Sequence, residues 1–231
     1  MARNKYPEET VTKILDVALR LFMRQGYEHT SIQDIVDHLD GLTKGAIYHH
    51  FKSKEEIFDA AMNRAMESTL TEIEGVRDDA RLTGAQQAMS LFTVSGVGPQ
   101  VALWKRLAPD PDPIKNARLL GMEYAGALGE ATDNYLLPII ERGVADGSID
   151  CKHPRETAEA LNLLANLWLL PQFREQGGAE DLMNRLDVIV DVANALGIPF
   201  DRAHMEETGH ALADIWFGGN GDDAAVETFN N

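Results

Sequence analysis

Between residues 8 and 26, apolar side chains recur every three or four positions. Val11, Ile14, Leu15, Ala18, Leu21 and Phe22 fall on one stripe that Gly26 closes. The spacing predicts an amphipathic helix with Pro7 at its first position. Thr30-Ser31-Ile32-Gln33 reads as a capping box in which the threonine caps and the glutamine reaches back. The short helix it opens carries Ile32, Ile35, Val36 and Leu39 and breaks at Asp40-Gly41. Thr43 is placed to cap a second short helix, TKGAIYHH, and Ser53-Lys54-Glu55-Glu56 is a further capping box opening a longer helix.

Every strong period downstream is helical too, so the chain is expected to be all-α. One helix should run from Ser53 past Ala65 towards Gly75, with further segments at 84–95 and 99–108. Asp112-Pro113 is a cap followed by a favoured first-turn proline, opening a long segment to Ala145 that Pro138 should kink and 146–148 should end. Pro154–Phe173, Glu180–Leu196 and Asp201–Phe217 complete the set, and GGNGDDAAVETFNN reads as a flexible tail. No internal repeat is present.

Two short helices joined by a glycine-containing turn and packed by a preceding helix make a helix-turn-helix unit. In that geometry the second helix enters the major groove. Gly45 and Ala46 would let its backbone come close to DNA at some cost in helix propensity. Ile47 and Phe51, four apart, would face inward. That leaves Thr43, Lys44, Tyr48 and His49 outside as hydrogen-bond donors, with Lys54 placed to grip a phosphate at the start of the next helix. His50 is assigned to packing. His49-His50 makes a poor metal pair because adjacent helical side chains diverge, so no metal is expected.

The net charge of −16 opposes this reading at first sight, because DNA affinity rests on neutralising phosphates. The charge is unevenly spread. Residues 1–58 hold 8 Lys/Arg and 9 Asp/Glu, a net of −1, and residues 59–231 hold 13 and 28, a net of −15. The opening segment is therefore free to meet DNA. Cys151 alone cannot form an intrachain disulfide. No apolar h-region opens the chain, and LNLLANLWLL (161–170), the most apolar run, is too short to span a bilayer. A cytoplasmic protein is the simplest reading.

Residues 8–58 resemble the DNA-binding domain of the TetR family of bacterial transcriptional regulators. The likeness lies in ILDVALRLFMRQGYEHTSIQDIV and in LTKGAIYHHFKSKEEIF, with its Lys-Gly-x-x-Tyr-x-x-Phe-x-x-Lys pattern. LDGLTKG is one residue longer than the family's commonest turn. The resemblance implies DNA contacts from Gln33, Lys44, Gly45, Ala46, Tyr48, His49 and Lys54. It also implies a homodimer and a small-molecule switch in the helical body. On this reading residues 1–58 form the DNA-binding domain, 59–217 an effector-binding and dimerisation domain, and 218–231 the tail. Repression is the expected mode, since it needs only occlusion of a promoter.

In the body, Leu182, Leu186, Ile189, Ala193 and Leu196 make a seam spaced four, three, four, three. Either a dimer bundle or a core helix would use it, and the resemblance favours the dimer. Trp104, Met122, Glu123, Tyr124, Asn162, Asn166, Trp168 and Phe173 are candidate pocket linings, offering aromatic faces and polar anchors. An aromatic beside a carboxylate would suit an organic cation. No phosphate loop, HExxH, CxxC or Gly-x-Ser-x-Gly elbow points to an enzyme, and no cofactor is implied. The alternatives are a regulator switched by a partner protein, or not switched, and a helical enzyme assembled from distant residues.

Overall fold

The computed structural model describes residues 7–39, 41–92, 94–108, 110–174 and 177–218, and contains no β-strand among them. The tail expected at 218–231 lies, apart from Gly218, outside the described residues. α1 (Pro7–Gln25), α2 (Ile32–Asp37) and α3 (Lys44–His50) form the N-terminal three-helix unit. α4 (Lys54–Ala65) follows, packs along α1, and hands over at Met66 to α5 (Glu67–Asp78). The single helix expected from Ser53 is thus two, and Gly75 lies inside the second.

The predicted stripe of α1 is the centre of this unit. Ile14, Ala18, Leu21 and Phe22 are fully buried, with Ile35, Ile47 and Ile57 from the next three helices against them. The N-cap of α2 is one residue later than expected. Ser31 accepts from Asp34 N while Asp34 accepts from Ser31 N, a reciprocal box that releases Gln33 to donate to Asp37 (2.8 Å). Thr30 cannot serve there, because its buried hydroxyl donates to Gly26 O and seals the end of α1. Thr43 and Ser53 cap α3 and α4 as predicted, each accepting a backbone N–H from the third residue on.

α6 (Gly84–Leu91), α7 (Val94–Leu107) and α8 (Ala117–Leu128) come next. A π-helical turn (Thr132–Leu136) then leads into α9 (Leu137–Asp146). The long helix expected over 112–145 is therefore divided. Asp112 accepts from Ile114 N, two residues on, and so closes a turn rather than capping a helix. Pro138 sits in the first turn of α9, directly after the π turn, where its lack of an N–H costs least. α10 (Pro154–Leu163) runs into a second π turn (Leu164–Leu169) and a 3₁₀ turn (Pro171–Phe173). α11 (Gly178–Ala195) and α12 (Arg202–Phe217, capped by Asp201) pair closely, and α12 also packs on α7.

The α11 seam needs correction. Leu182, Ile189 and Ala193 are fully buried and Leu186 nearly so, inside this chain. Gly209 of α12 brings that helix against Leu186 and Met183. These four residues are intramolecular core and present nothing to a partner; only Leu196, 37% exposed, remains at the surface. Along α11 and its C-cap, exposed Val188 (45%) and Leu196 and part-buried Val192 fall four residues apart. No helix among the described residues is long and apolar enough to cross a membrane.

Candidate nucleic-acid interface and internal cavity

α3 is held from behind and free in front. Ile47 is fully buried and Phe51 nearly so, whereas Thr43, Lys44, Gly45, Tyr48 and His49 are exposed and Ala46 is half-buried. The inward pair and outward set match the expected division. Nothing but Thr43 Oγ1, 3.8 Å away, lies within 4 Å of where a Cβ on Gly45 would stand. The fold therefore does not require glycine at this position. Gly41, in the turn, does require it, at φ +75°. His50 is half-buried, its ring 5.2 Å from that of His49. Gln33 is exposed on α2, tied to Asp37.

Lys54 is placed differently from the others. Its ammonium donates to Tyr27 O (2.8 Å) and sits 4.0 Å from the centre of the Tyr27 ring, half-buried. Burial lowers its pKa, with Glu28 opposing that shift. Tyr27 in turn packs edge-on against Phe58 (4.8 Å) and beside Phe22 (5.5 Å). Lys54 is thus a tie between α4 and the end of α1, and its ammonium is drawn inward from the face that α3 presents. The sequence shows the lysine at the right spacing for a phosphate contact but not the carbonyl that claims it.

The second feature is a cavity of about 260 Å³ within the helical body, opening to a wider mouth. Both π turns border it, one through Ala131, Tyr135 and Leu136, the other through Ala165 and Asn166. A π turn widens the helix and re-aims side chains, and such turns recur at functional sites. The first is tied to its neighbours, Asn162 of α10 donating to Thr132 Oγ1 (3.0 Å) and Thr132 to Ala127 O of α8 (2.7 Å). Of the predicted linings, Trp104, Glu123, Asn162 and Asn166 reach the cavity and Met122 its mouth. Tyr124 is half exposed on the outside of α8. Trp168 lies under the Arg185 guanidinium at 4.5 Å, and Phe173 backs Trp104 with ring centres 5.9 Å apart. None of those three borders the cavity.

Met62, Met66 and Tyr135 do border it and were missed. The four-residue spacing of the methionines marks a shared face, but which neighbour that face meets depends on the phase of several helices. Trp104 is 3% exposed, and its indole N–H has no acceptor among the described residues, a situation that costs about 1–3 kcal/mol. Glu123 is partly buried, and desolvation pushes its carboxyl up to about 8. No group of His, Cys, Asp and Glu among the described residues is arranged to hold a metal ion.

A buried first helix, a capped short helix and a second short helix with an exposed donor face define a helix-turn-helix protein of the transcriptional-regulator class. Residues 14–61 match the family model described as bacterial regulatory proteins, tetR family. The HTH-type transcriptional regulator AcrR of Shigella flexneri is 46% identical over 76 residues, 32% of this chain and 34% of that protein. The HTH-type transcriptional repressor KstR2 of Rhodococcus jostii is 27% identical over 175 residues, 73% of this chain and 81% of that one. A solved structure of a TetR/AcrR-family regulator from Thermobifida fusca aligns at a TM-score of 0.47 and 22% identity, covering 84% of this chain and 100% of that one. This chain thus spans about a third of the AcrR relative's length and four-fifths of the KstR2 relative's. Residues 14–61 thus carry a DNA-binding domain of the tetR family of bacterial regulatory proteins.

Proposed function

We propose that this regulator is a cytoplasmic, homodimeric repressor that binds a palindromic operator through α3 and is released by a small molecule bound in the cavity. The observation that carries the DNA reading is Gly45. It sits in the first turn of an exposed helix, costs helix stability, and has no packing partner that requires it. Close approach of a backbone to a partner accounts for it. Lys44, Tyr48 and Thr43 flank it as donors to phosphate and base edges, with His49 and Gln33 beside them. Lys54 supports α4 from behind, through the Tyr27 carbonyl.

Support for ligand control comes from the cavity and from relatives. One similar protein is named the A-factor receptor protein of Streptomyces griseus, 36% identical over 87 residues. α8 carries Glu123 on the cavity and Arg118 at its other end, ion-paired with Glu55 of α4 (2.9 Å). A ligand that shifts α8 would therefore act on the helix that follows the recognition helix. Dimerisation is assigned to the outer stripe Val188, Val192 and Leu196 of α11.

The test is retention of fragmented bacterial genomic DNA on the full chain, with sequencing of what is retained. A palindromic site whose half-sites lie about 34–36 Å apart, or a multiple of that, and which takes up two chains supports the reading. Retention of sequence-random DNA, or none, refutes it.

A further inference from the structure

The cavity and its mouth are acidic without compensation. Glu123 lies in the cavity wall, Asp59 and Glu130 stand at the mouth, and no lysine, arginine or histidine borders either. The Arg77 guanidinium is 5.9 Å from the ring centre of Tyr135, which borders the cavity. It is engaged by both carboxylate oxygens of Asp78 and by Asn134 O. Glu123 makes no ion pair or hydrogen bond among the described residues. Around it the wall is aromatic and thioether-rich, with Phe92, Trp104 and Tyr135 facing Met62 and Met66. Ring faces and sulfur suit a polarisable apolar body, and ring faces also attract a cation.

We propose that the cavity selects a lipophilic organic cation, an ammonium or phosphonium, with its positive centre at Glu123 and its apolar body between Trp104, Phe92 and Tyr135. An anion would meet three carboxyl groups and no basic side chain. The proposal rests on the reading of the body as the sensing part of the regulator, and it names the charge of what is sensed. The buried indole N–H of Trp104, without an acceptor among the described residues, is a second unused group in the same wall. It leaves room in the ligand class for an acceptor oxygen on the apolar body.

Binding should also carry a proton signature. Burial pushes the Glu123 carboxyl up to about 8, so the empty cavity holds it mainly protonated at neutral pH. A cation favours the carboxylate form, and its entry expels the proton. The other titrating groups that face this space are Asp59 and Tyr135, both shifted upward, and Glu130. For Asp59 the causes are burial, then Glu130 and Glu55; Tyr135 stays neutral across the useful range. α10 and the second π turn present only Asn162, Ala165 and Asn166 to the cavity, none of which titrates. Affinity for a cation should therefore rise by up to about tenfold per pH unit below 8 and level off above it.

Two ions of nearly the same shape and opposite charge decide the matter: tetraphenylphosphonium and tetraphenylborate, titrated calorimetrically into the full chain at pH 6, 7 and 8.5. The wild type should bind the cation at least tenfold more tightly than the anion, with affinity rising between pH 6 and 7. Glu123→Gln, checked for folding by circular dichroism, should lose at least tenfold for the cation and flatten the pH dependence. Asp59→Asn, at the mouth, should cost only a few-fold. Equal or tighter binding of the anion, no binding of either ion, or a Glu123→Gln variant that keeps both affinity and slope would overturn the proposal. Operator retention measured without either ion keeps the two readings apart. Its loss would count against the regulator, not against the charge of the ligand.

Discussion

Gly45 separates what the fold needs from what the partner needs. Alanine there meets only Thr43 Oγ1, at van der Waals distance (3.8 Å), and removes a helix penalty of about 0.5–1 kcal/mol. Gly45→Ala should hold or raise the thermal midpoint while weakening operator binding at least tenfold, as equilibrium unfolding and fluorescence anisotropy would show. A variant that keeps full affinity would remove the argument for close backbone approach. At this scale the outer face of α3 was legible, because a short helix with two inward residues has few ways to turn. Lys54 was not, since its partner, the Tyr27 carbonyl, is 27 residues away. Glu123 was named as one of eight candidates, but that it is the carboxylate inside the wall follows only from how α8 is rotated.

Elements fixed by periodicity were legible; those bent by tertiary packing were not. α1 and α3 follow from apolar spacing and caps. The two π turns have no signature of their own in the sequence, being places where α8–α9 and α10 yield to the cavity they surround. The α6–α9 crossing shows how tight such packing is, since a Cβ on Gly84 would stand 2.2 Å from Gly143 N. Backbone cannot give way as a side chain can, so Gly84→Ala should destabilise by about 2–3 kcal/mol or more, measured by denaturant unfolding. A change under about 0.5 kcal/mol would mean the crossing is looser than described. The Arg118–Glu55 pair is exposed enough that Arg118→Ala should cost under about 1 kcal/mol. Its larger effect should be on coupling, with the ligand's power to release operator falling several-fold while operator affinity alone is kept. Unchanged release by a saturating ligand would exclude this ion pair as a link.

For the whole molecule, the misread seam is instructive. Leu182, Leu186, Ile189 and Ala193 show that one face of α11 is apolar, but a sequence does not say whether α12 or another chain covers it. The structure gives that face to α12, so the proposed dimer is assigned to the outer stripe. Val188→Asp should therefore shift the chain towards monomer in light scattering with little loss of fold. Leu186→Asp should instead unfold it, because an unpaired charge would be buried. The reverse pattern would return the interface to the buried seam. A monomer reads one half-site weakly, so Val188→Asp should also lose cooperative binding to a palindrome.

The most direct test of the DNA reading is operator affinity of the wild type beside Lys44→Ala/Tyr48→Ala at two salt concentrations. Both side chains are exposed, so the double variant should fold with an unchanged midpoint. Lost contacts of about 1–3 kcal/mol each predict at least about thirtyfold weaker binding, with a shallower salt dependence because one phosphate-neutralising charge is gone. Equal affinity and equal salt dependence for the two proteins would contradict α3 as the recognition helix.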